Sequence, residues 1–258
     1  MTASLQDSLA ALRTTGETRL ADPIAMEVFS NRLLSITEEM GNTLVRSSFS
    51  TNIKERKDCS VALFDGRGRL IFQASHVPPN LGSLMGSVTA VLKACPIERM
   101  RDGDAFICND PYLAGGTHMP DISIVTPVFI DGAVRFFAAN IGHHSDVGGS
   151  VPGSISGTAR SIFEEGLRIP GNRIVREGEL DEDLLNLVSQ NSREAEERSL
   201  DLKVQIATNE RGKRLLLALA NQMGLEAMTG AVDDLLAYTG RRLRNRIRDM
   251  QDGRASFV

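Results

Sequence analysis

Between positions 122 and 141 the chain reads ISIVTPVFI, then Asp131-Gly132, then AVRFFAANI. Two runs rich in β-branched and aromatic residues, joined by Asp-Gly, are the strongest short-range signal for an antiparallel hairpin. Pro127 cannot donate to a ladder, so the first run is expected to lie at a sheet edge or to carry a bulge. Counting outward from a two-residue turn sets Asp121 opposite Gly142 and Pro120 opposite His143. The segments THMPD and GHHSD then meet at the open end of the hairpin, where opposed Cβ atoms stand about 5 Å apart.

That meeting point gathers His118, Asp121, His143 and His144, three of the four histidines in the chain. Imidazole and carboxylate together suit Zn, Mn or Fe, whereas Mg and Ca prefer oxygen alone. One residue of slip sends every side chain to the other face. Strict alternation puts His144, rather than His143, on the face of Asp121, while Pro120 and Gly142 disturb regular pairing, so spacing leaves both histidines open. Hydrogen-bonded polar loop residues are the competing account. The remaining histidine, His76, sits beside two prolines and reads as structural.

The flanking sequence defines an α+β fold. Asp22 as N-cap, Pro23 at the first helical position, and apolar residues at helical spacing through Val45 predict a long amino-terminal helix. CSVALF and RLIFQA around Asp65-Gly66-Arg67-Gly68 predict a second hairpin. LGSLMGSVTAVLKA predicts a helix stopped by Pro96, and DAFIC a buried strand. The Gly-, Ser- and Pro-rich stretch 148–171 reads as an ordered functional loop or a lid. Three helices follow, with breaks near Asn191-Ser192 and Gly224. Residues 1–21 form an extension, 22–178 an α+β region and 179–253 a helical region.

Composition narrows the function classes. A net charge of -4 over 258 residues argues against a general nucleic-acid binder. Cys59, Cys95 and Cys108 share no zinc-like spacing and fit a reducing cytoplasm. No stretch reaches the roughly 18 apolar residues of a membrane span, and the first twenty lack the apolar core of a signal peptide. There is no GxSxG and no P-loop, so covalent nucleophilic catalysis and nucleotide binding have no support, and metal-assisted chemistry is favoured. Asp110 in NDPY is a turn residue or an acceptor orienting a histidine, and Glu165 a solvated acid or an acid/base group. With His144 and Asp146 of GHHSD they complete the catalytic candidates. Arg241, Arg242, Arg244, Arg246 and Arg248 suggest a solvated basic helix face or a partner contact.

Taken in order, DPIAMEVFSNRLLSITEEMG, NDPYLAGGTHMPD, ANIGHHSDVGG, EEGLRIP and DLKVQIATNERG resemble the hydantoinase B / 5-oxoprolinase family over about residues 22 to 253. The resemblance implies a metal held by His118, Asp121 and His143. It also implies a hetero-oligomer with a hydantoinase A-type ATPase subunit, which uses ATP to phosphorylate a small cyclic amide before this subunit completes ring opening. Members of the family are about twice this long, so the remainder of the family domain is expected to be absent. An acetone-carboxylase-like subunit and a truncated, non-catalytic assembly module are the alternatives.

Overall fold

The structure, a computed structural model, describes residues 23–75 and 77–253. The extension 1–21, the N-cap Asp22 and His76 lie outside the described residues. Helix α1 (Pro23–Ser47) begins at the proline, and a single turn, α2 (Thr51–Lys54), leads into strands β1 (Cys59–Asp65) and β2 (Leu70–Gln73). Helix α3 (Pro78–Ala94) starts earlier than its apolar pattern. Pro78 and Pro79 occupy its first positions, where a missing N–H is harmless. Strand β3 (Ala105–Cys108), the turn α4 (Pro111–Ala114), β4 (Asp121–Ile130) and β5 (Ala133–His143) follow. A hairpin of β6 (Asn172–Arg176) and β7 (Glu179–Leu180) then leads into helices α5 (Glu182–Gln190), α6 (Ala195–Met223) and α7 (Leu225–Arg248). The α+β class is the observed one; the β6–β7 hairpin is too short and too charged for periodicity to reveal. No single helix among the described residues is long and apolar enough to cross a membrane.

Among the described residues, contacts divide the chain into two units, 33–218 and a helical one combining 23–32 with 219–253. In the helical unit Met228, Ala231, Val232 and Leu235 of α7 are buried, while Leu243 and Ile247 among its arginines are exposed.

The larger unit is built on a seven-stranded sheet in the order β2-β1-β5-β4-β3-β6-β7, antiparallel at each pairing. β4 is therefore an interior strand, which corrects half of the expectation drawn from Pro127. The proline is tolerated because the ladder to β3 covers only Ser123–Val125, and a bulge follows it. Next to the turn, Ile130↔Ala133 and Phe129↔Val134 pair as counted from Asp131-Gly132, but the register then shifts to Val128↔Phe136. Arg135 is the extra residue. From there to the open end each partner moves by one, and Asp121 stands opposite His143 instead of Gly142.

Alternation gives the sheet two packed faces. On one, Ala62, Phe64, Val125, Phe137, Ala139 and Ile141 bury against Leu84, Val88 and Val91 of α3. On the other, Ala105, Ile107, Ile122 and Ile124 meet Leu185 and Val188 of α5 and Leu202 of α6. The α6 face also carries Arg198, Asp201, Gln205, Thr208 and Asn209, all at 0% exposure. Their spacing of three and four residues makes one stripe of the helix. Gln205 Nε2 donates to the Ile122 carbonyl at 2.8 Å and to Asn140 Oδ1 at 2.9 Å. Asn209 Nδ2 donates to the Ile124 carbonyl at 2.9 Å. Gly142 has no side chain because Ile53 of α2 fills its place, at 2.8 Å from where a Cβ would be.

Helix α3 also fixes the loop that carries His118. A Cβ on Gly86 would lie 1.6 Å from the Ala114 carbonyl oxygen, so only glycine lets α3 and α4 pack this closely. Gly86→Ala is expected to lower stability by about 1–3 kcal/mol or more through overpacking. Gly82→Ala, on the same helix with nothing within 4 Å, should instead stabilise by roughly 0.5–1 kcal/mol. Paired denaturant titrations measure both, and equal effects would refute the packing argument.

Candidate metal centre

The register shift decides which histidine joins Asp121. Opposed residues share a face, so His143 lies with Asp121 on the α3 side, and His144 turns to the α6 side. At the open end of the hairpin His118 Nε2 lies 3.0 Å from His143 Nδ1. Asp121 Oδ1 lies 3.1 Å from His143 Nδ1 and 3.4 Å from His118 Nε2. The two imidazoles stack with centroids 4.8 Å apart. Ligand atoms around a tetrahedral ion with bonds of about 2.1 Å stand about 3.4 Å from one another. Two nitrogens and one carboxylate oxygen thus converge on a spacing that fits a divalent transition metal, and this donor set favours Zn, Mn or Fe over Mg and Ca.

Access and charge agree with that fit. The side chain of His118 is 32% exposed and that of Asp121 only 3%, so the cluster is anchored inside and open on one side. Burial opposes ionisation of Asp121, yet hydrogen bonds from His118, His143 and Thr117 outweigh it and hold its carboxyl below the usual range. Thr117 Oγ1 donates to Asp121 Oδ2, leaving Oδ1 toward the imidazoles; such supports orient ligands. The hydrogen bond to Asp121 is the main cause that raises the His118 pKa above its ordinary value.

The other candidates surround this cluster without joining it. His144 is fully buried, its Nε2 2.9 Å from Gln205 Oε1 and its Nδ1 bonded to Arg198. Burial first, and then the Arg198 charge, push its pKa well below the ordinary value. Asp146 is buried too and holds the start of the 148–171 loop, accepting from Gly148 N at 2.8 Å, Gly153 N at 2.9 Å and Arg193 Nη1 at 2.8 Å. Burial opposes its ionisation, but these donors bring its carboxyl below the usual range. Asp110 caps α4 through Tyr112 N and Leu113 N, at 2.9 and 3.1 Å. Its Oδ2 forms an ion pair with Arg168 Nε at 2.9 Å, without the alignment of a hydrogen bond. Glu165, half-buried at the end of a 3-10 turn, acts on His118 through its charge.

Sequence reasoning missed Thr117 and Asn109. Asn109 Nδ2 donates to the carbonyls of Met119 at 2.8 Å and Leu167 at 2.9 Å, and its Oδ1 accepts from Ile169 N at 2.7 Å. It ties the His118 loop to the end of the glycine-rich loop. The only signal was its place beside Asp110 in NDPY, where the acid drew the attention.

A sheet that ends in a His-Asp-His cluster, with its polar supports drawn from a long helix behind, defines a class of candidate metalloprotein. The chain belongs to the hydantoinase B/oxoprolinase family, whose model matches residues 22–258. It is 40% identical over 207 residues to a 5-oxoprolinase from Dictyostelium discoideum, covering 80% of this chain and 16% of that protein. It is 33% identical over 232 residues to the caprolactamase subunit beta of Pseudomonas jessenii, covering 90% of this chain and 40% of that protein. The crystal structure of the ATP-dependent caprolactamase from Pseudomonas jessenii superposes with a TM-score of 0.84 at 32% identity, covering 91% of this chain and 40% of that one. A nucleotide-free acetone carboxylase structure shares the fold, with a TM-score of 0.77 at 20% identity over 89% of this chain and 32% of that one. The chain thus spans less than half the length of each of these proteins.

Because His144 is held neutral in the fold, the unfolded chain binds a proton more readily below its ordinary pKa of 6.5. Stability supplied by this residue is present above that pH and falls as pH drops below it, by up to about 1.4 kcal/mol per pH unit. The raised pKa of His118 gives an opposite slope in the same window, so the His144 contribution is read as a difference: between pH 7 and 5 the metal-free His144→Asn variant is expected to lose less stability on acidification than the metal-free wild type. An unchanged slope in the variant would assign the effect elsewhere.

Proposed function

We propose that this chain forms the metal-binding part of the B-type subunit of an ATP-dependent cyclic amidohydrolase of the 5-oxoprolinase or hydantoinase type. The observation that carries the reading is the convergence of His118, Asp121 and His143 at 3.0 to 3.4 Å in a chain of this family. These three residues hold the ion. A divalent metal bound there supplies Lewis acidity toward a carbonyl or phosphoryl oxygen and lowers the pKa of water. Asp121 provides the anionic ligand, kept ionised by its hydrogen bonds, and the exposed edge of His118 leaves room for a small ring. Glu165 is the acid that reaches His118 electrostatically from outside the ligand set. Asp110, Asp146 and His144 act by holding loops and the hairpin in place.

ATP is consumed by a partner ATPase subunit in this reading, since the sequence has no phosphate-binding loop and the caprolactamase relative is described as ATP-dependent. Phosphoryl transfer to the amide oxygen converts it into a phosphate leaving group. Water adds to the ring carbon, the adduct collapses with the C–N electron pair leaving to the nitrogen, which takes a proton, and a second water then displaces phosphate from the resulting acyl phosphate. Atoms balance as cyclic amide, ATP and two waters giving the ring-opened acid (an amino acid from a lactam, an N-carbamoyl amino acid from a hydantoin), ADP and phosphate. Three buried free cysteines, Cys59, Cys95 and Cys108, fit a reducing, cytoplasmic setting.

Two measurements test this. Metal analysis should find about one tightly bound transition ion in the wild-type protein and none in the His118→Ala, Asp121→Ala, His143→Ala triple variant. Retention of the ion by that variant would refute the site. Combined with an A-type ATPase subunit, the chain should open 5-oxoproline or a hydantoin only with ATP. Bicarbonate-dependent carboxylation instead would favour the carboxylase reading, and inactivity of a metal-loaded pair on either substrate class would favour an assembly role.

A further inference from the structure

At the start of β3, the end away from Asn109 and the cluster, the larger unit carries a groove of about 390 Å3. Small residues open it: Ala105 on β3, with Gly103 and Gly178 beside it. Gly103 packs on the turn between β6 and β7, where a Cβ would lie 2.6 Å from Gly178 N. Glu177 and Gly178, with φ of 50° and 92°, give that turn the two left-handed residues of a tight hairpin. Buried Asp104 fixes it, accepting from Glu177 N at 3.1 Å and from Arg101 N at 2.8 Å. The groove is therefore preformed.

Its floor is apolar and its rim is charged. Ala105 and Val175 are buried, and Leu180 and Ile206 pack against the same core. Helix α6 adds Lys203, Glu210 and Lys213 around Ile206, at spacings of three and four residues that make one stripe. This stripe runs beside the one that holds Gln205 and Asn209 to the hairpin. Lys213 already has a partner, its Nζ donating to Asp102 Oδ1 at 2.7 Å. Among the described residues, neither the Lys203 ammonium nor the Glu210 carboxylate has a hydrogen-bond or ion-pair partner. Either alone is an ordinary solvated charge. Together, two turns and roughly 10 Å apart on the two sides of Ile206, they give an apolar slot a positive end and a negative end.

We propose that this groove is a binding site for an ω-amino acid, whose aliphatic chain lies on Ala105, Val175, Leu180 and Ile206 with its carboxylate at Lys203 and its ammonium at Glu210. Pockets of this size, mainly apolar with a few placed polar groups, suit small molecules. The charge layout selects the class. A fatty acid leaves Glu210 unanswered, an alkylamine leaves Lys203 unanswered, and an α-amino acid holds its charges too close together to reach both. Open-chain amino acids are also released when a lactam ring opens; that link rests on the proposed function, whereas the binding does not.

Calorimetric titration of the full-length protein with ε-aminocaproate tests the site, with caproate, hexylamine and the α-isomer norleucine as comparisons. ε-Aminocaproate should bind about 10-fold or more tightly than each of the other three, the expected loss when one charge-assisted hydrogen bond goes unmade. Lys203→Met and Glu210→Gln should each weaken it by a similar factor and leave the thermal midpoint nearly unchanged. Wild-type protein stripped of metal by a chelator, and the His118→Ala, Asp121→Ala, His143→Ala triple variant, should bind it as well as the untreated protein does. No binding at millimolar ligand, equal binding of any comparison compound, or indifference to both single substitutions overturns the proposal. Loss of binding on metal removal overturns it too, by placing the ligand at the cluster. A wild type that takes up no metal yet binds ε-aminocaproate in this pattern refutes the metal reading alone.

Discussion

The larger unit depends on a helix that presents amides and charges to a sheet where aliphatic side chains would be the ordinary choice. Gln205 and Asn209 of α6 reach the carbonyls of Ile122 and Ile124 and the side chain of Asn140, and Arg198 reaches the Asp146 carbonyl at 3.0 Å. Each such donor, once buried, costs about 1–3 kcal/mol if left without its partner. A stripe of them tolerates one alignment of helix against hairpin and penalises its neighbours, which greasy packing does not. The seat of the β4–β5 hairpin is thereby fixed, and with it the position of the loop ends that carry His118, Asp121 and His143.

The same arrangement separates two chemistries with a single strand. On the α6 side, His144 is enclosed by Gln205 and Arg198 and kept uncharged. On the α3 side, one residue earlier, His143 meets an ionised Asp121 and a partly exposed His118. Neighbouring imidazoles thus serve opposite ends: one holds the hairpin to its helix, the other faces the candidate ion.

Much of the architecture was legible because it rests on period and punctuation. Asp131-Gly132, the apolar alternation beside it, Pro96 and Gly224 mark boundaries that the structure keeps. Short elements such as α4 and β7 were not legible, since a few residues hold no period. The error in register had a definite cause. Counting from the turn is sound until Arg135, and no residue pattern marks that position as the extra one. At the site, His118 and Asp121 could be read from spacing, and His143 only through the family motifs. Thr117 and Asn109 escaped notice because their roles come from tertiary neighbours. The buried polar stripe of α6 was likewise visible only as a motif, DLKVQIATNERG, since charge and amide composition ordinarily mean solvent.

The bulge at Arg135 makes β5 behave like a reading frame. A substitution within it disturbs one face at one point. A single-residue insertion or deletion between the bulge and His143 would exchange the faces wholesale, sending His143 toward Gln205 and His144 toward Asp121, and turning the apolar side chains at Phe137, Ala139 and Ile141 away from α3. Length variation in this stretch is therefore tolerable only in compensating pairs, whereas the looped segment beyond His144 has no such frame to lose.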